Sequence, residues 1–167
     1  KKVNVFNQKR PDVETAYEKY ADIVYRVALA NLAIEADAQD VVQDVFVKYV
    51  IAAPVFNDED HERAWLLRVT VNRCHDISRR LKVRETLPID DVVGLAAPEK
   101  EGVSELLEIL SRIPGKYRDT LILHCLEGFS QKETAKILGI SLSAVKMRIL
   151  RGRDILEKMR QEERNVQ

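Results

Sequence analysis

The sequence predicts an all-α protein in which two small helical domains are joined by a flexible linker. Apolar residues recur at steps of three and four along most of the 167 residues, which is the spacing of amphipathic helices. Aromatic residues make up only 6%, and Gly and Pro are few, so a β-sandwich or barrel is not expected. Residues 85–103 combine Pro, Gly and acids without a helical period, which predicts a linker between domains at 1–84 and 104–167.

Composition excludes several classes of protein. With 46% apolar and 32% charged residues, the chain can form cores, and global disorder is excluded. No apolar run approaches the ~20 residues of a membrane span, and the N-terminal residues lack the apolar stretch of a secretory signal. Cys74 and Cys125 lie far apart with no C-x-x-C spacing, which predicts buried thiols in a reducing cytoplasm, with redox sensing as the alternative.

Charge is arranged in alternating blocks, although 27 basic and 27 acidic residues cancel to a net charge of zero. Residues 35–62 carry a net charge of −7 and residues 85–101 carry −4, whereas residues 63–84 carry +6 and residues 132–160 carry +5. Two separate basic blocks indicate two contacts with a polyanion, and the acidic blocks indicate at least one other partner. Ordinary solvated helix faces are the alternative.

Three helices are predicted in the first domain. The first carries the apolar stripe Val13, Tyr17, Tyr20, Val24 and Val27. The second is predicted to be capped by Asp37 and to end before Pro54, with an apolar face formed by Val41, Val42, Val45, Phe46, Tyr49 and Val50.

The third helix, from about His61 to Val83, is predicted to have two unlike faces. Its core side is formed by Ala64, Leu67, Val71, Cys74 and Leu81. Its opposite side is polar and basic, and brings together Arg68, Asn72, Asp76 and Arg79, flanked by Arg73 and Arg80.

Residues 128–153 have the pattern of a helix-turn-helix, after a helix whose inward residues are Leu121, Ile122 and Cys125. Ser130 and Glu133 form a capping box for a short helix, with Ala135 and Leu138 directed inward. Gly139 suits the positive φ of a tight turn.

The helix after this turn is the candidate DNA-reading element. Ser141 caps it, and Val145 and Ile149 anchor it in the core. In a helix-turn-helix, the second helix enters the major groove, where Lys and Arg neutralise phosphates and Arg or Ser can reach base edges. The candidate contacts are Ser141, Ser143, Lys146, Met147, Arg148, Arg151 and Arg153.

Three motifs, in this order, resemble sigma-70-type transcription initiation factors. Residues 37–46 (DAQDVVQDVF) resemble a signature of conserved region 2, residues 64–76 (AWLLRVTVNRCHD) resemble the stretch that follows it, and residues 128–153 resemble region 4. With only a linker between the two regions, the chain is similar to the extracytoplasmic-function (ECF, group IV) sigma factors. The resemblance covers about residues 12–84 and 104–160. It implies a factor that directs core RNA polymerase to promoters, catalyses nothing itself and needs no cofactor or metal.

The resemblance implies two contacts with RNA polymerase. The second region-2 helix would dock on the coiled coil of the β′ subunit, and region 4 would contact the β flap. Asp40, Gln43 and Asp44 lie at i, i+3 and i+4, and form one polar face suited to the first contact. A solvated carboxylate face is the alternative.

The resemblance also implies that residues 51–60 form a loop that receives a base flipped from the −10 element. Phe56 offers a stacking surface and Asn57 an amide, as an unstacked base requires. Phe56 could equally fold into the core, and Trp65 is expected to be a core residue. Because Asp76 would repel DNA, it is expected to pair with neighbouring arginines. The resemblance also implies that Asn72 contacts the −10 strand. The residues that would bind the phosphates of this strand are Arg68, Arg73, Arg79 and Arg80.

The resemblance further implies that the acidic linker lies in a polymerase channel, and that an anti-sigma factor covers the polymerase-binding faces. The −10 and −35 elements lie about 70 Å apart, or roughly two helical turns of DNA. A taut linker reaches about 60 Å, so the linker and the two domains together span this distance.

Two other functions are considered. A DNA-binding regulator without a polymerase role would keep the helix-turn-helix but would leave residues 37–46 and 64–76 unexplained. A metal nuclease could use Asp37, Asp40 and Asp44, but these acids have no histidine at ligand spacing. The chain also has no Gly-rich phosphate loop and no nucleophile elbow.

Overall fold

The structure is a computed structural model that describes residues 12–85 and 105–166. No strand occurs within these ranges, and the predicted all-α fold is confirmed. The predicted linker falls almost entirely outside the described residues. None of the described helices has the length and apolarity needed to cross a membrane. The helices are α1 (Val13–Leu32), α2 (Glu35–Ala52), α3 (Glu59–Glu85), α4 (Glu105–Arg112), α5 (Gly115–Leu121), α6 (Gln131–Leu138) and α7 (Leu142–Val166).

The first domain is a bundle of α1, α2 and α3. Its core includes Val24, Val41 and Tyr49, which are each at most 1% exposed. The connections from α1 to α2 and from α2 to α3 contain no glycine. Instead, Ala33 and Ala53 end α1 and α2 with left-handed φ values of 57° and 39°. Such residues carry a strain of about 1–2 kcal/mol each, which the packing of the bundle must offset.

Helix α2 begins earlier than predicted. It starts at Glu35 with Ile34 at the N-cap, so the prediction that Asp37 caps this helix was wrong. Asp37 instead lies in the first turn, where a negative charge favours the positive end of the helix dipole. The predicted apolar faces are also wider than the surface that partner helices cover, because four of their members are exposed: Val13, Tyr17, Val50 and Leu81.

The second domain contains α4 to α7, and α6 and α7 form the helix-turn-helix. The predicted capping box is present: Glu133 N–H donates to Ser130 Oγ at 3.1 Å, and Ser130 N–H donates to the Glu133 carboxylate at 2.8 Å. Gly139 ends α6 with a φ of 66°. Ser141 Oγ accepts the Ala144 N–H at 3.1 Å and caps α7.

One inward-facing prediction in this domain was wrong, that for Cys125, and the prediction for α6 was incomplete, although Leu138 does pack against the core. Cys125 is exposed, because α5 continues into a π-helical turn at Ile122–Leu126 that rotates the following residues away from the α-helical phase. On α6 the buried residues are Thr134 and Ile137, while Ala135 and Leu138 are only half-buried. The reason is that α6 packs against α3 as well as α7.

The two domains pack against each other through a shared apolar core, which the sequence does not predict. The first domain contributes residues of α1 and α3, and the second contributes residues from α4 to α7. Each is at most 9% exposed, so removal of apolar surface from water stabilises the contact. The members are Val27, Ala30, Ala64, Leu67 and Val71, packed with Leu110, Ile113, Leu121, Ile122, Leu123, Phe129, Ile137 and Met159.

We expect Ser130→Ala to lower the free energy of unfolding by about 1 kcal/mol, because α6 loses its N-cap hydrogen bond. Equilibrium unfolding in urea measures the change. Ser111→Ala is the matched control, since exposed Ser111 donates to the Glu108 carbonyl and caps no helix N-terminus. Equal destabilisation by both variants would contradict the capping role of Ser130.

Candidate nucleic-acid interface

The first half of α7 presents a polar and basic surface. Ser141 lies just before the helix, and its oxygen is used in capping while its O–H remains available as a donor. Arg148 is half-buried, and the other predicted contacts on this helix are exposed: Ser143, Lys146, Met147, Arg151 and Arg153.

The opposite side of α7 is buried against the rest of the second domain. Val145 and Ile149 are 0% and 6% exposed, as predicted. Gly152 is also buried, and a Cβ at this position would lie 2.9 Å from Leu121 Cδ1, so glycine permits α7 to lie close to α5. Sequence reasoning missed Gly152, although a glycine inside a regular helical pattern is a signal of close packing.

The predicted basic face of α3 is present, but parts of it are paired within the chain. Asp76 binds Arg79 at 2.9 Å, as predicted, and Arg73 Nε donates to Asp44 at 2.6 Å. Both pairs are solvent-accessible, and pairs of this kind contribute about 0–1 kcal/mol. They can therefore be exchanged for contacts with phosphate at little cost. Asn72 and Arg80 are exposed.

Phe56 lies half-buried in an aromatic cluster within the loop of residues 53–58. This loop is shorter than the predicted loop 51–60, because α2 continues to Ala52 and α3 begins at Glu59. The ring of Phe56 stacks on Tyr49, with centroids 5.9 Å apart, and meets His61 and Trp65 edge-on at 5.4 and 5.9 Å. Asn57 is exposed, and its backbone N–H donates to His61 Nδ1 at 3.3 Å. Phe56 therefore combines both predicted placements, since one part of the ring packs on the core and the other remains accessible.

A cavity of about 320 Å³ opens beside this loop and is lined by Phe56 and Asn57 among others. Glu62 also lines the cavity, and it accepts a hydrogen bond from the hydroxyl of Tyr49, a residue that is 1% exposed. Burial and this hydrogen bond raise the pKa of Tyr49 well above its ordinary value, so the phenol stays neutral. Trp65 packs half-buried in the same cluster, on the core side as expected.

The candidate polymerase-binding face of α2 is largely free. Asp40 and Gln43 are exposed, whereas Asp44 is held by Arg73. Beside this face, a cavity of about 460 Å³ lies between α2 and α3 and is lined partly by Val47 and Ile51. These side chains are 56% and 79% exposed, and sequence reasoning missed them. The signal was present, because apolar residues in α2 extend beyond the arc that its partners can cover.

One predicted DNA contact lies at the boundary between the domains. Arg68 Nε donates to the Ile137 carbonyl at 3.0 Å, and its Nη2 donates to the Lys136 carbonyl. These are carbonyls of the last turn of α6, where a cation is favoured by the helix dipole. The guanidinium also lies 3.7 Å from the position of a Cβ on Gly139, within the turn of the helix-turn-helix.

A second polar contact between the domains joins His75 Nε2 to Asp119 Oδ2 at 2.6 Å. Asp119 is 2% exposed, and the bond to it raises the pKa of His75, in spite of the opposing effects of burial and of nearby Arg118 and Arg79. Sequence reasoning assigned no role to either residue, since they are far apart in the chain.

The described residues offer no cluster of three or more His, Cys, Asp or Glu side chains that could hold a metal ion. Burial raises the pKa of the Cys74 thiol to about 12, which keeps it protonated and unreactive. Exposed Cys125 lies in the π-helical turn.

Comparison with known proteins supports the two-region organisation. The family profile described as Sigma-70 region 2 matches residues 16–84, and that of Sigma-70, region 4 matches residues 104–156. The chain is 37% identical over 126 residues to the RNA polymerase sigma factor SigZ of Bacillus subtilis, covering 72% of this chain and 70% of SigZ. It is 30% identical over 138 residues to the ECF RNA polymerase sigma factor SigM of Mycobacterium tuberculosis, covering 81% and 70% of the two chains.

The fold is also similar to that of a solved sigma factor. The sigma factor RpoE from Bartonella quintana, determined in complex with the anti-sigma factor NepR, superposes with a TM-score of 0.68 at 22% identity, covering 89% of this chain and 96% of that one. Two family profiles in the correct order, together with these relatives, establish that the chain belongs to the sigma-70 family of RNA polymerase sigma factors, in its extracytoplasmic-function group.

Proposed function

We propose that this chain binds core RNA polymerase, recognises −35 DNA through α7, and captures the −10 element through its first domain. The observation that carries the proposal is the exposed basic first half of α7, which is capped by Ser141 and anchored by Val145 and Ile149. A rigid helix with this surface suits insertion into a major groove. The chain contributes binding, and the polymerase contributes the chemistry.

In the −35 step, the first turns of α7 lie along base edges. Ser143 and Met147 can contact bases, while Lys146 and Arg151 can bind phosphates and Arg148 and Arg153 extend the basic surface. The exposed positions of Ser143 and Lys146 support this assignment, because neither side chain is occupied by a contact within the described chain.

In the −10 step, the first domain binds unstacked bases and thereby favours the open form of the promoter. Each captured base must offset a few kcal/mol of unstacking. The accessible part of Phe56 offers a stacking surface, and exposed Asn57 can donate to or accept from a base edge. Asn72 contacts the strand, and the phosphate contacts are Arg68, Arg73, Arg79 and Arg80.

The polymerase contact is assigned to Asp40, Gln43 and Asp44 on α2, facing the β′ coiled coil, with region 4 on the β flap. The free side chains of Asp40 and Gln43 support the first contact. Asp44 would contribute after exchange of its partner Arg73. The acidic linker would lie in a polymerase channel, and the protein would act in the cytoplasm.

An anti-sigma factor is a further proposed partner. The Bartonella quintana RpoE was solved with such a factor. In this chain, exposed Val47 and Ile51 line a cavity together with Asp44 of the candidate polymerase-binding face, and an inhibitor that covered them would also block Asp44.

Transcription in vitro with core polymerase and a library of promoters tests the function. We expect the chain to initiate from promoters that share two sequence elements.

We expect Asp40→Lys to reduce binding of core polymerase in pull-downs at least tenfold, because the substitution reverses the charge at the proposed β′ contact. Glu18→Lys on exposed α1 is the matched control. If the chain binds DNA but neither binds nor activates core polymerase, the proposed function is contradicted, and the chain is a DNA-binding regulator without a sigma role.

We expect Lys146→Ala to weaken binding of the polymerase complex to −35 DNA by a similar factor for all −35 sequences, and to lower the slope of log affinity against log salt by about 1, because one phosphate contact is lost. Lys158→Ala removes the same charge further along α7, where Lys158 pairs with Asp154 at 3.0 Å. Fluorescence anisotropy at several salt concentrations measures both variants. An equal loss in both would argue against a specific role for the first half of α7.

A further inference from the structure

We propose that a cavity between the two domains is a binding site for inorganic phosphate. The cavity has a volume of about 220 Å³ and is lined by residues of α3, α5, α6 and α7 and of the turn before α7. Pockets that hold drug-sized ligands are larger, at about 300–1,000 Å³, so this cavity suits a small ion. The proposed function does not require such a ligand, so the site would be additional to promoter recognition.

Three cations line this cavity, and each comes from a different helix: Arg68 of α3, Lys116 of α5 and Arg148 of α7. Within the described part of the chain, none of the three forms an ion pair with an acid. Arg68 donates instead to two neutral main-chain carbonyls of α6, and the Lys116 ammonium lies 4.9 Å from the ring centre of Tyr117. Uncompensated positive charges around one small cavity indicate an anionic ligand, because a bound anion would lower their mutual repulsion.

The acidic residue in the lining is Asp119, and it favours one kind of anion. Its Oδ2 lies 2.6 Å from His75 Nε2, and its Oδ1 is buried with no hydrogen-bond partner among the described residues. An ionised carboxylate only accepts hydrogen bonds, so it repels an anion that has no proton to donate. Hydrogen phosphate carries an O–H at neutral pH and can donate it to Asp119, whereas sulfate cannot. We therefore expect the site to prefer phosphate to sulfate.

His75 adds a fourth group that can carry positive charge at the cavity. The bond to Asp119 raises the pKa of His75, while the charge of neighbouring Arg118 opposes its protonation. Arg118 Nε is itself buried with no hydrogen-bond partner among the described residues, and burial lowers the pKa of this guanidinium. The positive groups at this point of the domain boundary thus repel one another, and a phosphate dianion would relieve that repulsion.

Most of the remaining lining is apolar, and the exposed amide of Asn72 completes it. The apolar residues are Val71, Ile137, Leu138 and Ile140. Because apolar walls exclude water, the cations attract an anion more strongly here than they would on an open surface. The cations belong to both domains, so phosphate would bind while the domains are packed and would stabilise the chain against unfolding.

Isothermal titration calorimetry of the full chain with inorganic phosphate tests the site, slightly above neutral pH and at constant ionic strength. We expect one phosphate to bind per chain, and Arg148→Gln to weaken binding about fivefold or more, because a half-buried cation that bonds to the anion is lost. Arg153→Gln is the matched control, since it removes the same charge from an exposed position of α7 outside the cavity lining. We expect it to change the affinity less than about twofold. Lys116→Gln is a second probe at an exposed position, and we expect it to weaken binding as well.

Titration with sulfate and with glycerol 3-phosphate tests the role of Asp119. A phosphate monoester loses its second proton at about pH 6, so above neutral pH neither of these anionic groups offers an O–H. We expect both to bind about fivefold or more weakly than inorganic phosphate. Asp119→Asn is expected to remove this preference, since an amide can donate to the anion. The ratio of two affinities within one variant is not affected by a change in its stability.

The site is contradicted if phosphate shows no saturable binding in the millimolar range, or if Arg148→Gln and Arg153→Gln lose the same affinity. Sulfate that binds the parent chain as tightly as phosphate would contradict the assignment to phosphate, as would a preference that survives in Asp119→Asn. None of these titrations contains polymerase or DNA, so failure of this site and failure of the proposed function are distinguishable.

Discussion

The position of α3 between two apolar cores is the constraint on which the rest of the structure depends. Leu66 is fully buried against α1 and α2, and its neighbour Leu67 is fully buried in the core shared with the second domain. Because successive helical residues point about 100° apart, a third direction remains for Arg68 and Asn72. The burial of two adjacent leucines thus holds in place the polar groups proposed to contact the −10 strand.

The net charge of zero reflects mutual neutralisation rather than a lack of charge. Asp44 neutralises Arg73 within the first domain, and Glu127 neutralises Arg26 across the two domains. The Asp44–Arg73 pair is solvent-accessible and contributes little to stability, whereas the Glu127 side chain is only 12% exposed. The Asp44–Arg73 pair is therefore well suited to exchange in the proposed function, in which Asp44 would pass to polymerase and Arg73 to DNA. A neutral free chain also has weak non-specific attraction to DNA.

Much of the fold could be predicted, because helix signals are local. The Ser130–Glu133 capping box and the positive φ of Gly139 depend only on neighbouring residues, and both predictions are confirmed. The prediction for Cys125 was wrong because the π-helical turn depends on packing around α5 and leaves no mark in the spacing of apolar residues. The candidate site was predicted as a set of exposed polar residues. The pairing of Arg73 with Asp44 could not be predicted, because it joins two helices and hydrophobic periodicity describes one helix at a time.

By itself, the sequence determined the helical composition, the helix-turn-helix and the alternating charge, since each follows from neighbouring residues and their spacing. Only the tertiary structure decided how the domains meet. Arg68 reaches the carbonyls of α6 across 68 and 69 positions of sequence, and His75 meets Asp119 across 44. No local pattern encodes such contacts, because they depend on the burial of apolar side chains from both domains in one core. That burial brings together the two surfaces that are proposed to read DNA.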